Sequence, residues 1–197
     1  MHITLPFVLA SQSPRRRRLL ERLGFEFTIH VSPADEVIPP GAVPADIVQT
    51  IAADKADPVA RAHPSALVLA ADTVVAHDGD ILGKPQSDDD AAATLRRLSG
   101  TTHTVFTGIA LHHHETDRVV TAVEATDVTF GPLTDTEIAA YVATGSPMDK
   151  AGSYGIQDDL GALFVDRVEG DYYNVVGLPL RRLYLTLRDC FPNVMRF

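Results

Sequence analysis

A single cysteine, Cys190, occurs in 197 residues. No intramolecular disulfide can form, which agrees with a reducing compartment. Positive charge is also scarce, with 17 Lys and Arg against 26 Asp and Glu and a formal net charge of −9. Proteins that grip duplex DNA usually present a basic surface to the phosphates, so no stable nucleic-acid partner is expected. A small anionic ligand is not excluded, because one local basic cluster exists at Arg15 to Arg18. No stretch approaches the roughly 20 apolar residues of a membrane span. The opening MHITLPFVLASQSP has no charged leading region and reads as no signal peptide. The expectation is a cytoplasmic protein without a membrane partner. There is no internal repeat, no low-complexity tract and no long linker. The phosphate loops GxGxxG and GxxxxGK[ST] are missing, and no Ser–His–acid order has the context of a hydrolase triad. What remains is 45% hydrophobic and 22% charged, enough for one domain or one compact two-lobed unit over residues 1–197 with a core of its own.

Hydrophobic patterning predicts alternating strands and helices. Phe7 to Ala10 reads as a buried strand, followed by a helix with Ser13 as N-cap and Pro14 at its first position. That helix should run to about Leu23, where Gly24 stops it. Phe25 to Val31 alternates with period two and predicts a half-buried strand. Ser32 to Pro44 should be a loop. A helix from about Ala45 places Ile47, Val48, Ile51 and Ala52 on one face, and Pro58 should end or kink it. Leu67 to Ala76 predicts a strand, and Asp78-Gly79 a hairpin into Ile81-Leu82. Asp88 to Leu98 reads as a helix closed by Gly100, and Val105 to Leu111 and Arg118 to Phe130 as strands. Thr134 to Glu137 is a capping box for a helix to about Thr144. Ala162 to Val165 predicts a strand, and Leu180 to Asp189 a closing helix on which Cys190 packs. This plan indicates an α/β protein with a curved mixed sheet, its functional loops at strand ends. Strand order cannot be read from it.

Four constellations suit phosphate chemistry. The first is the strand-to-helix junction Ser11-Gln12-Ser13-Pro14-Arg15-Arg16, since a helix N-terminus offers free N–H groups and the positive end of a dipole to an anion. With about 100° per residue, Arg16 falls in the middle of the buried stripe of Leu19, Leu20 and Leu23, and Arg15 at its edge. Arg17 and Arg18 point away, where both can pair with Glu21. A solvated basic turn is the plainer alternative. The second is acidic: Asp35-Glu36 in a loop, and Asp72 inside an apolar strand, where a carboxylate is costly unless paired or metal-bound. Carboxylates suit Mg²⁺, while a bend at Asp72 and a solvated loop at Asp35-Glu36 are the competing readings. Third come Lys55, four residues after Ile51 on the apolar stripe, and Lys84 in Leu82-Gly83-Lys84-Pro85. Snorkelling explains Lys55 more simply, and Lys84 fits a surface loop. The fourth is Ser146 to Gln157, where small residues allow close approach of a flat ligand and Gln157 can both donate and accept. Glycines mark plain turns far more often than ligand sites. The run His112-His113-His114 precedes a turn, and an exposed strand end accounts for it better than a metal site.

Together, LASQSPRR, the DE of SPADEV, the lysine of ADKA, AADTVV, LGKP, LSGTTHTVFTG, DKAGSYGIQ and NVVGLPL resemble the Maf family of nucleoside triphosphate pyrophosphatases, also known as septum-formation inhibitor proteins. The matching pieces run from Leu9 to Leu180. The resemblance implies an elongated two-lobed α/β fold with a central cleft, similar to inosine triphosphate pyrophosphatases, a divalent cation (Mg²⁺ or Mn²⁺), and a homodimer. It carries Asp72 over as the catalytic acid, which activates water directly or through the metal. Ser11, Arg15, Arg16, Lys55 and Lys84 fall on substrate positions, and Glu36 joins Asp72 on the metal. Arg15, Thr73 and Gln157 look like the branch that cleaves dTTP and UTP; the branch acting on 7-methyl-GTP typically carries an aromatic and different polar residues there. Ile51, Asp54 and Pro58 depart from the family pattern and bear on the shape of one helix. The reaction implied is metal-assisted water attack at the α-phosphorus of a pyrimidine nucleoside triphosphate, giving monophosphate and pyrophosphate. The alternatives are the same chemistry on other or modified nucleotides, and a nucleotide- or DNA-binding regulator of cell division without catalysis.

Overall fold

A computed structural model describes residues 2–158 and 160–196. Its strands are β1 (His2–Ile3), β2 (Phe7–Leu9), β3 (Thr28–Ile29), β4 (Leu67–His77), β5 (Asp80–Leu82), β6 (Thr102–His113), β7 (Arg118–Phe130), β8 (Val165–Glu169) and β9 (Met195–Arg196). Its helices are α1 (Pro14–Arg22), α2 (Pro44–Ala62), α3 (Asp88–Leu98), α4 (Asp135–Val142), α5 (Tyr172–Val176) and α6 (Leu180–Cys190). The main sheet has the order β3-β2-β4-β6-β7-β8, with β5 also paired to β4. β2 is parallel to both β3 and β4, whereas β5 on β4 and β8 on β7 are antiparallel. The class is therefore mixed α/β with a mixed sheet, and β1 pairs with β9 in a separate ribbon. Among the described residues no helix is long and apolar enough to cross a membrane.

The chain divides into two compact units, the boundaries falling inside β4, β6 and β7 and at the end of α5. The first holds residues up to Asp72, Thr107–Glu124, and the chain from Gly177 onward. Where α2 meets the sheet its core is built on small side chains: Ala52, Ala56, Val59 and Ala60 of α2 cluster with Val8, Val68, Ala70 and Ala110 of the strands and with Ala10 just after β2. Short side chains let helix and sheet approach closely. At Gly108 the approach is so close that a Cβ would lie 2.4 Å from the carbonyl carbon and oxygen of Val48.

The second unit holds Thr73–Phe106 and Ala125–Val176. Its core is more aromatic. Phe130 packs edge-on to Tyr154 with centroids 4.7 Å apart, and Tyr141 to Phe164 at 5.2 Å. The hairpin between β4 and β5 turns at Asp78 and Gly79, both at positive φ (49° and 82°), as a two-residue hairpin turn requires. The capping box of α4 is formed, Thr134 accepting from the Glu137 N–H and Glu137 accepting from the Thr134 N–H.

Four expectations are corrected. The strand expected over Phe25 to Val31 shrinks to Thr28–Ile29, and both residues are exposed, because this edge strand gains backbone pairing with β2 but no layer over its side chains. Pro58 does not end α2, which continues to Ala62. The hydrogen bond that a proline forfeits would go to the carbonyl of Asp54, an exposed residue whose carbonyl water can serve, while Val59 and Ala60 stay buried beyond it. Ala162 to Phe164 form a 3₁₀ turn, and the strand begins only at Val165. Finally, His112 and His113 are buried, at 4% and 8% exposure. They complete the long strand β6, and because consecutive residues face opposite sides of the sheet, both sides are covered at its end.

Candidate active site

The junction of β2 and α1 forms as its sequence dictates. Ser13 caps the helix, its hydroxyl accepting from the Arg16 N–H. Ser11, almost buried, accepts from the Ser13 N–H at 3.1 Å and from Arg16 Nη1 at 3.3 Å. Arg16 also donates through Nε to the Gly177 carbonyl at 2.8 Å. One guanidinium thus fixes the first turn of α1 to the segment that leads into α6. Arg17 points away and pairs with Glu21 at 2.7 Å, and Arg18 is exposed. The helical phase assigned to the four arginines is what the structure shows.

Arg16 sits in an unusual electrostatic setting. Burial lowers its pKa; Asp72 opposes that, Arg15 adds to it, and Glu36 opposes it again. These groups are close enough to feel one another, at the positive end of a helix. The same pocket of charge contains Lys55, whose side chain is only 10% exposed. Its Nζ donates to Asp72 Oδ1 at 2.6 Å and contacts Glu36 Oε1 at 2.7 Å. The snorkelling alternative is thereby excluded. Because the alanine face brings α2 close to the sheet, a lysine on its buried stripe ends beside the last residue of β4 that belongs to the first unit. Asp72 is 6% exposed and lies within the continuous strand β4, so no bend brings it to the surface.

Ser11, Arg15, Arg16, Glu36, Lys55 and Asp72 therefore gather in the first unit. Thr73, Lys84 and Gln157 belong to the second. Thr73 follows Asp72 in β4 and so faces the opposite side of the strand. Lys84 is exposed after β5, and Gln157 is half-buried with its amide on Asp158. The glycines of the fourth constellation serve the protein itself. A Cβ at Gly152 would meet Val75 at 2.8 Å, and one at Gly155 would meet Gln157, Asp158 and Lys150 within 2.7 Å. Sequence reasoning did not single out Tyr141 or Asp158, nor give Ser146 and Lys150 a part, yet these four form the polar network around Gln157. A second carboxylate directly after the glutamine was the available signal.

Glu36 and Asp72 both contact one nitrogen, so their carboxylates converge. Two converging carboxylates beside cationic groups fit a hard divalent ion, which commonly takes one or two carboxylates and completes its shell with water and phosphate oxygens. Among the described residues no group of three or more His, Cys, Asp or Glu is arranged to hold a metal ion. The histidine run offers no such set. His113 Nδ1 lies 2.8 Å from Thr116 Oγ1, and burial lowers the pKa of His112.

A family model described as Maf-like protein matches residues 6–190. The chain is 60% identical to a dTTP/UTP pyrophosphatase of Salinibacter ruber, covering 99% of this chain and 96% of that protein. It is 50% identical to a dTTP/UTP pyrophosphatase of Bacillus cytotoxicus, covering 93% and 94%. Among solved structures, the Ham1 protein of Staphylococcus aureus aligns with a TM-score of 0.42 at 15% identity, over 63% of this chain and 72% of that one. The HAM1 protein of Coxiella burnetii aligns with a TM-score of 0.43 at 18% identity, over 64% and 73%.

Proposed function

Because the chain belongs to the Maf family, we propose that it hydrolyses dTTP and UTP to the nucleoside monophosphate and pyrophosphate. The likeness in sequence to two dTTP/UTP pyrophosphatases over nearly their whole length supports the substrate class. The observation that carries the chemistry is the buried Lys55 ammonium between Asp72 and Glu36, beside the Arg16 guanidinium.

Asp72 is the base in this reading. It takes the proton of the attacking water as the new oxygen–phosphorus bond forms at the α-phosphorus and the bond to the bridging oxygen of the β-phosphate breaks. Lys55 holds that carboxylate in place and offers charge to the phosphates. Arg15, Arg16 and the α1 N-terminus offset the charge that grows on departing pyrophosphate, with Ser11 orienting Arg16. A divalent cation, Mg²⁺ or Mn²⁺, held by Glu36 and Asp72 would add charge neutralisation and a more acidic water when bound. In the second unit, Lys84 is assigned to substrate phosphate, and Thr73 and Gln157 to the pyrimidine, with Arg15 as the third specificity position. A cytoplasmic homodimer completes the proposal, and light scattering in solution checks the dimer.

The test is Asp72→Asn, which keeps the side-chain shape and removes the base. Turnover of dTTP should vanish while the circular dichroism spectrum stays native; undiminished hydrolysis would overturn the assignment. Pyrophosphate is the expected product, and orthophosphate would place the attack at the γ-phosphorus instead. A turnover panel across nucleoside triphosphates separates this reading from the same chemistry on other bases.

A further inference from the structure

Gln157 is not held by packing alone. Its Nε2 donates to Asp158 Oδ1 at 2.9 Å. The other oxygen of Asp158 accepts from the Ser146 hydroxyl at 2.6 Å and the Tyr141 hydroxyl at 2.9 Å, with Lys150 Nζ at 3.3 Å. Tyr141 in turn accepts from the Gly155 N–H at 3.0 Å. The cluster closes only because residue 155 has no side chain: a Cβ there would lie 2.5 Å from Gln157 Nε2 and 2.6 Å from Asp158 Oδ2. Partial burial opposes ionisation of Asp158, but Ser146, Tyr141 and Lys150 outweigh it and hold its pKa below the usual carboxylate value. An ionised carboxylate can only accept hydrogen bonds. The primary amide facing it must therefore turn its NH₂ inward, and one of the two amide orientations is removed. Gln157 and Asp158 also line an open depression of about 640 Å³ with Tyr141, Thr144, Ser146 and Leu160, so the amide can be reached by a group the size of a base.

We infer that Asp158 is a positioning residue that fixes Gln157 with Oε1 presented to the base, and thereby selects pyrimidines that carry an N–H at position 3. This rests on the dTTP/UTP reading above. Uracil and thymine offer that N–H between two carbonyls, so Oε1 accepts from it while the remaining amide N–H can donate to a neighbouring carbonyl. Cytosine offers an acceptor nitrogen at the same place, and its lone pair meets that of Oε1. Only a flipped amide would suit cytosine, and the Asp158 carboxylate forbids the flip. With asparagine at 158 the amide oxygen stays with the Ser146, Tyr141 and Lys150 donors and the NH₂ turns to Gln157, which then accepts from it through Oε1 and presents Nε2 to the base.

The experiment compares kcat/KM for UTP and CTP, and for dTTP and dCTP, in the native chain and in Asp158→Asn. A neutral hydrogen bond made or forfeited is worth about 1.4 kcal/mol, so the UTP/CTP ratio should fall about tenfold or more, through a loss with UTP and a gain with CTP. Gln157→Ala should lower the ratio too, and adding Asp158→Asn to it should change the ratio no further. A purely structural role would lower activity on all four substrates together and leave the ratio alone. An unchanged ratio in folded Asp158→Asn, with dTTP and UTP still cleaved by the native chain, overturns the positioning role and leaves the proposed function standing. Failure of the native chain to cleave either nucleotide overturns the proposed function itself. Should Asp158→Asn not fold, the Lys150→Gln/Asp158→Asn pair, which removes the buried cation with its partner, carries the same measurement.

Discussion

Lys55→Met separates what the buried charge cluster does for stability from what it does for chemistry. Methionine keeps the length and apolar stem of lysine but removes the ammonium. Its two partners differ in setting, since the Asp72 side chain is 9% exposed and that of Glu36 is 44% exposed. Glu36 is screened by water, and such a contact is worth about 0–1 kcal/mol. Asp72 is not, and removing one member of a buried pair costs about 3–5 kcal/mol because the other charge stays desolvated. The single variant should lose about 3 kcal/mol, seen as a fall of roughly 1–2 M in the urea midpoint. Asp72→Asn leaves Lys55 paired with Glu36 and should cost less. In the double variant neither member of the Lys55–Asp72 pair leaves the other desolvated, so most of the lost stability should return while turnover stays absent; the part that does not return is what Arg16 loses with Asp72. Equilibrium urea unfolding of the four proteins measures the coupling. If the double variant is as unstable as the sum of the singles, the pair contributes no coupling and the account of Lys55 is wrong.

Three further outcomes follow from the geometry. Gly108→Ala should cost about 3 kcal/mol or more, beyond ordinary overpacking, since the added methyl meets the Val48 backbone at 2.4 Å; the displacement of α2 should also lower turnover, and a native melting temperature would refute the close approach. Pyrophosphate should raise the melting temperature of the native chain, and Arg16→Gln should remove most of that rise; equal shifts in both proteins would take Arg16 out of phosphate binding. Burial, reinforced by His77 and opposed by Asp127, holds the His103 imidazole down at about 4 against 6.5 for the free group. The unfolded chain therefore takes up a proton as pH falls below 6.5 and the folded chain does not until about 4. The stability is whole above pH 6.5 and is progressively lost toward pH 4, by about 3 kcal/mol in all. His103→Gln should flatten this part of the stability curve, and an unaltered acid slope would sink the explanation.

What was legible in the sequence is what local physics decides. The Ser13 cap, the phase of Arg16 on α1, the Asp78-Gly79 turn and the Thr134–Glu137 box each depend on residues within four positions, and all are present. Strand order is decided by contacts far apart in the chain and left no local trace. The alternation over Phe25 to Val31 reports a preferred face, but a face becomes a buried strand only if something packs on it. Lys55 shows the same limit from the other side. Its place on the apolar stripe was readable, but its partners lie 17 residues away at Asp72 and 19 away at Glu36, and the alanine face decides that it reaches them. The glycines of Gly152 and Gly155 were readable as sites of close approach. What approaches them, Val75 at one and the Gln157–Asp158 pair at the other, was not.

The charge balance of the first unit explains how an acidic protein can hold a polyanion. Across the chain the formal charge is −9, yet around Arg16 three cationic side chains (Arg15, Arg16 and Lys55) face two carboxylates (Glu36 and Asp72). Long-range attraction from the rest of the surface does not help, because charges more than about 8–10 Å apart in water are largely screened at physiological salt. The local set is less screened because Lys55 and Asp72 are buried. In the proposed site a triphosphate would meet a small positive excess and the α1 N-terminus. Each carboxylate is held by the same ammonium. In the proposed reaction Lys55 therefore serves both sides at once, steadying the Asp72 carboxylate while its charge faces the phosphates.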